Sequence, residues 1–206
     1  AEESVAYLAI DGSGMLSATV TQLGIGEVGQ IPNLTNVPQE VLLENTYLAP
    51  VVFAQSPTAN GGQPVVARVD NVQSDRFSIY LAEPSNEDGV HGEEVVSYLV
   101  FESGLHQLAD GTRLEVGTRT TGATVGQLVV DQWETMTFTQ PFAQTPVVLS
   151  QIQTVSGDAY LTTRHNNAGK SGVMVGLHPE EAVSAQHVPE TIGYVAMDMR
   201  RGVWNG

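Results

Sequence analysis

Two arginines, Arg68 and Arg164, and two His-x-x-Glu pairs, His91 with Glu94 and His187 with Glu190, are the residues of this chain whose types and spacing could do chemistry. The planar fork of an arginine donates two parallel hydrogen bonds, which suits the vicinal hydroxyls of a sugar and suits a carboxylate equally well. For the second case Glu94 and Glu190 are the candidate partners. Each His-x-x-Glu pair reads either as the polar rim of a binding groove or as a loop anchor in which imidazole and carboxylate bond each other. Two ligands per pair fall short of the four or so that a closed zinc site takes. Tyr80 is the nearest aromatic candidate for a sugar platform. The loop Asn86-Glu87-Asp88-Gly89 offers oxygen ligands for calcium but lacks a spaced Asp-x-Asp-x-Asp pattern. An acidic turn with no cofactor is therefore expected there, with calcium as the alternative. No nucleophile elbow, zincin helix or phosphate loop is present, and the carboxylates that stand out occur twice, so an enzyme is not expected.

The elements that must position these residues come as a repeat. Laying Pro50 on Pro146, a shift of 96 residues, superposes Pro50-Val-Val52 on Pro146-Val-Val148 without a gap. The same register matches Gln55 with Gln151, Thr58 with Thr154, Gly61 with Gly157, Arg68 with Arg164 and Asn71 with Asn167. It continues through Leu81/Leu177, His91/His187, Glu94/Glu190 and Tyr98/Tyr194, while Tyr80 meets Gly176. A second shift, of 91 residues, lays Tyr7 on Tyr98 and carries Leu23 and Gly26 onto Leu114 and Gly117. The Glu-x-x-x-Tyr strand then occurs three times, and the chain reads as a piece of a longer array. Self-similarity at this period marks a repeating module.

Short β-branched and aromatic runs separated by turn residues predict strands at 51–53, 64–69 and 77–81, with counterparts at 147–149, 160–165 and 173–177, closed by the Tyr98 and Tyr194 strands. Val5 to Ile10 is apolar on both alternating faces, which predicts a strand covered on both sides. No helical periodicity stands out; Pro179 to Ala185 allows at most a single turn. The expected fold is all-β: two tandem antiparallel β-sandwich modules, residues 1–102 and 103–206.

Phe142-Ala-Gln-Thr-Pro146-Val-Val-Leu, Leu161-Thr-Thr-Arg164, Ser171-Gly-Val173 and Ile192-Gly-Tyr194-Val-Ala-Met-Asp198 together resemble an H-type lectin domain. The resemblance covers roughly residues 42–102 and 138–198. It implies six-stranded antiparallel sandwiches that bind N-acetylgalactosamine or related sugars and commonly form trimers. It also implies that Arg68 and Arg164 stand where that family contacts sugar. The aromatic residues that the family carries before the closing strand are missing from 83–89 and 179–183. Trp133 leads into the Phe138 strand, and Trp204 sits in the tail.

Eight basic against 23 acidic residues give a formal charge of −15, which repels phosphate backbones and argues against a nucleic-acid partner. No apolar run is long enough to suggest insertion in a membrane, and no leader opens the sequence, so any secretion signal is expected outside it. With one lysine and no cysteine, the composition suits a secreted or cell-surface protein in salt. Two functions follow as expectations. The first is a non-catalytic carbohydrate-binding module that engages a polysaccharide through equivalent shallow sites on the two repeats, formed by Arg68, Arg164, His91, His187, Glu94, Glu190 and Tyr80. The second is a spacer or assembly repeat of a surface adhesin, whose partners are neighbouring repeats or further copies in a homo-oligomer.

Overall fold

The computed structural model describes residues 14–17, 24–108, 110–126, 130–157, 160–180 and 185–199. Expectations placed on Val5–Ile10, on the turn at 181–184 and on Trp204 lie outside these residues. Every element within them is a strand. The first seven are β1 (Gly14–Ser17), β2 (Gly24–Leu34), β3 (Gln39–Leu42), β4 (Pro50–Gln55), β5 (Val66–Asp70), β6 (Arg76–Ala82) and β7 (Glu94–Glu102). The next seven are β8 (Gly104–Gln107), β9 (Arg113–Thr121), β10 (Glu134–Thr137), β11 (Val147–Ile152), β12 (Leu161–Gly169), β13 (Gly172–Pro179) and β14 (Glu190–Met197).

The strands form four antiparallel sheets, ordered β1-β2-β7-β4, β3-β6-β5, β8-β9-β14-β11 and β10-β13-β12. Advancing each label of the first two orders by seven gives the other two. The change of sheets falls between Glu102 and Gly104. Each set contains seven described strands, one more than the lectin resemblance implies. The strand pairing also revises one register. Gly29 lies opposite Tyr98 and Gly117 opposite Tyr194, so β2 and β9 correspond at a shift of 88 residues and not at 91. The physical reason is shared: a Cβ on Gly29 would stand 2.5 Å from the Tyr98 ring, and one on Gly117 would stand 3.0 Å from the Tyr194 ring. Each tyrosine lies across a glycine that leaves room for it.

Period-two alternation puts apolar residues on both faces of the four-stranded sheets. In β7, Val96 and Val100 join a core with Phe77, Ile79 and Leu81 of the three-stranded sheet. In β14, Ile192 and Ala196 do the same with Val173, Val175 and Leu177. The opposite faces supply a third core in which Val51, Phe53 and Phe101 of the first set meet Leu114, Val116 and Val195 of the second. The two central Tyr strands are thus covered on both sides, the arrangement that doubly apolar strands demand. At roughly 25 cal/mol per Å² of buried apolar surface, a shared core of this kind makes each set of sheets depend on the other.

Candidate functional site

The repeated polar residues fasten loops. Glu94 opens β7 and accepts hydrogen bonds from the Thr58 hydroxyl (2.5 Å) and the Gly61 N–H (2.8 Å). Glu190 opens β14 and accepts from the Thr154 hydroxyl (2.5 Å) and the Ser156 N–H (2.9 Å). Each threonine oxygen in turn accepts the N–H that follows its glutamate, Val95 and Thr191, at 2.9 Å in both cases. His91 bridges two carboxylates, with Nδ1 2.8 Å from Glu83 and Nε2 3.2 Å from Glu94. His187 is held differently: its Nδ1–H donates to the Val188 carbonyl at 2.7 Å. Gly61 and Gly157 recur because a Cβ at either would strike the imidazole, at 2.4 and 2.8 Å. Both histidines and both glutamates are buried. The loop-anchor alternative describes their contacts, and Glu94 in addition lines the cleft described below.

The Thr58 hydroxyl, then the Gly61 N–H and the His91 ring, hold the Glu94 carboxyl down at about 2. A depressed carboxylate contributes stability that is complete above its unfolded value, about 4.3. That contribution is lost as pH falls through the folded value. Urea unfolding of the parent chain and of Glu94→Gln should therefore show a stability gap that is widest at pH 5 and shrinks steadily toward pH 2.5. A gap of constant size would disconnect Glu94 from acid sensitivity.

The other candidates separate. Arg68, on β5, is 1% exposed; its Nη2 donates to the Thr154 carbonyl at 3.0 Å and lies 3.6 Å from Glu190 Oε1. The carboxylate partner is thus the glutamate of the other set of sheets. Arg164, on β12, is exposed. The two arginines correspond in register and differ in surroundings, so two equivalent sugar contacts are not what the geometry provides. Tyr80 sits opposite Arg68 and is half-buried. Its counterpart Gly176 has no room for a side chain, because a Cβ there would stand 2.5 Å from Val125. In the acidic loop, Glu83 Oε2 accepts from the Gly89 N–H and Asp88 from the Val90 N–H, as turn caps do. No group of three or more histidine, aspartate or glutamate side chains is placed to hold a metal ion among the described residues; in the Glu83–His91–Glu94 chain each carboxylate faces a different ring nitrogen. Trp133 is half-buried beside β10, an edge strand.

Around Arg68 lies a junction built mainly from residues that occur once. The Gln153 amide accepts from the Val52 N–H (2.8 Å) and donates to the Val52 carbonyl (2.8 Å), and so stands in for a neighbouring strand on the free edge of β4. Gln151 donates to the Ala67 carbonyl at 3.0 Å, and Asp70 accepts from the Val155 N–H at 3.2 Å. Gly193 lets Val51 approach, since a Cβ there would stand 2.4 Å from Val51 Cγ1. The counterparts of Gln153 and Gly193 at the 96-residue shift are Pro57 and Ser97, so repeat matching passes over both. Beside these contacts a cleft of about 480 Å³ opens between the two sets of sheets, with Gln55, Glu94 and Thr163 among its lining residues.

No family model matches the chain, and no solved structure matches it. The chain is similar to halomucin of Haloquadratum walsbyi, with 29% identity over 207 residues, which is 95% of this chain and 2% of that protein. It therefore spans a small fraction of the length of the curated relative it matches.

Proposed function

We propose that the chain is two tandem copies of one antiparallel β-sandwich module locked into a fixed pair, and that the pair is a structural repeat of a secreted or cell-surface protein. The observation that carries this reading is Arg68. The most suggestive binding residue of the sequence is spent on the neighbouring module, buried against Thr154 and Glu190. The third core and the Gln153 clamp support the same reading. So does the similarity to a stretch of a much longer protein, halomucin, which also favours a surface or secreted location. A lectin-like role through Arg68 and Arg164 would rest on the second module alone, where the arginine is open to solvent.

Small-angle scattering combined with sedimentation tests the proposal. A fixed pair behaves as one compact monomer with a radius of gyration near 17 Å, the value for a compact chain of this length. A second maximum in the pair-distance distribution would mean modules tethered loosely and would sink the fixed pair. A stable trimer would favour the lectin reading instead.

A further inference from the structure

The junction is a contact of like with like, filled on one side and open on the other. The shared core takes corresponding residues from both modules: Phe53 with Leu149, Leu99 with Val195, and Phe101 with Met197. Such a contact has two related halves, as an isologous interface does. In the filled half, β5 of the first module meets Gln151, Thr154 and Glu190 of the second. In the other half the corresponding parts are β12 facing Gln55, Thr58 and Glu94, and these parts bound the cleft of about 480 Å³. Gln151 spans its half to reach the Ala67 carbonyl, whereas its counterpart Gln55 is exposed and its side-chain amide makes no hydrogen bond among the described residues.

Four sheet-edge strands converge on this cleft: β4, β5, β11 and β12. In an antiparallel strand alternate residues turn N–H and C=O to the same side. The Gln153 clamp marks Val52, and hence Ala54, as edge-facing on β4. On β12 the edge-facing residue is Thr163, because its partner Leu177 spends its own backbone groups on Ala123 and Val125. We propose that the cleft binds a short, neutral, polyhydroxylated ligand, such as an oligosaccharide segment. This rests on the fixed pair, since both modules line the cleft. Scattering that shows loosely tethered modules would sink both, whereas a compact pair that binds no sugar would sink this inference alone.

The ligand class follows from the lining. Gln55 and Gln63 present amides, which both donate and accept, as sugar hydroxyls do. The hydroxyls of Ser150, Thr162 and Thr163 bond one another, His165 or the His178 carbonyl and add a polar wall with accepting lone pairs. Val65, Ile152 and Leu161 supply apolar wall for C–H faces. The one carboxylate, Glu94, already accepts from Thr58 and Gly61, which leaves little for a cation. A net charge of −15 repels anions. An extended peptide needs a run of successive alternate edge positions. Here Val52 and Ala67 are already taken by Gln153 and Gln151, so the edge groups left are isolated. The volume lies within the roughly 300–1,000 Å³ of small-molecule sites.

The test is an NMR titration of the whole chain with maltotriose, cellotriose and chitotriose, alongside trigalacturonate and the peptide acetyl-Val-Thr-Val-amide. At least one neutral trisaccharide should give saturable shifts confined to cleft residues. Gln55→Ala with Gln63→Ala should weaken that binding about tenfold or more. The melting temperature should stay unchanged, because neither amide is bonded among the described residues. The proposal is overturned by failure of all three neutral sugars to saturate, by unchanged binding in the double variant, or by cleft binding of the peptide or the anion alone.

Discussion

Replacing Arg68 with alanine should destabilise the chain by about 3 kcal/mol, as removal of one partner of a buried ion pair does, whereas Arg164→Ala should stay within about 0.5 kcal/mol, as exposed substitutions do. The two residues correspond in sequence, so the contrast isolates the environment. Arg68 is closed in by the second module and donates to the Thr154 carbonyl beside Glu190. Truncation leaves that carbonyl without its guanidinium donor and opens a void at the junction. It also removes the positive charge nearest Glu190, although Thr154, Ser156 and Gly157 still bond the carboxylate. Urea unfolding read by two probes, tryptophan fluorescence in a Trp204→Phe background that leaves Trp133 alone and far-ultraviolet dichroism, measures both variants. In the parent chain the two probes should coincide; in Arg68→Ala they should part, because coupling between modules is what the arginine supplies. Equal effects of the two substitutions would remove Arg68 from the junction.

β4 to β7 and β11 to β14 were legible in the sequence because β-branched and aromatic runs between turns declare themselves locally, whereas β1 to β3, β8 and β9 carry no such run and were not read as strands. Pro50 and Pro146 open β4 and the segment before β11, and the valines after them alternate into two cores. Gly-rich turns fall where strands end. The registers were legible where identities are structural: Thr58/Glu94 and Thr154/Glu190 repeat because the loop they fasten repeats. The register of β2 and β9 was less so. A Gly26/Gly117 match looks as good on paper as Gly29/Gly117, and only the tyrosine lying across the strand decides between them. The junction was hidden for a deeper reason. The two halves of the contact between the sets of sheets have diverged, one filled and one open, so its polar contacts do not all repeat. Gln153 over Val52 and Gly193 under Val51 are therefore single-copy features, and a search for what occurs twice discounts them. Tyr80 and Gly176 diverge for a related reason, since the segment through Val125 covers the second position.

Gly193→Val should drive the modules apart while leaving each one able to fold. Gly193 lies in β14 between Gln151 and Thr118, a position where a strand gains from a β-branched residue. Its counterpart Ser97 carries a Cβ at the corresponding place in β7. Nothing in the second module's own sheet therefore requires glycine. What requires it is the junction: a Cβ would stand 2.4 Å from Val51 Cγ1 of the first module and 2.9 Å from Cδ of Gln153, the second module's own clamp on Val52. Both neighbours are buried, and Val51 is fully so, which leaves no free volume into which they can turn. Overpacking of this sort costs about 1–3 kcal/mol, and here the cost falls on the interface. Scattering should show a larger radius of gyration and thermal unfolding should split into two transitions, with strand content unchanged by dichroism. Val51→Ala combined with Gly193→Ala should restore a single transition, because the added methyl group then occupies space that the valine has vacated. A compact Gly193→Val chain with one cooperative transition would show that the modules are not in contact through β4 and β14. Neither the third core nor the Arg68 pairing could then stand as described, because both depend on that approach.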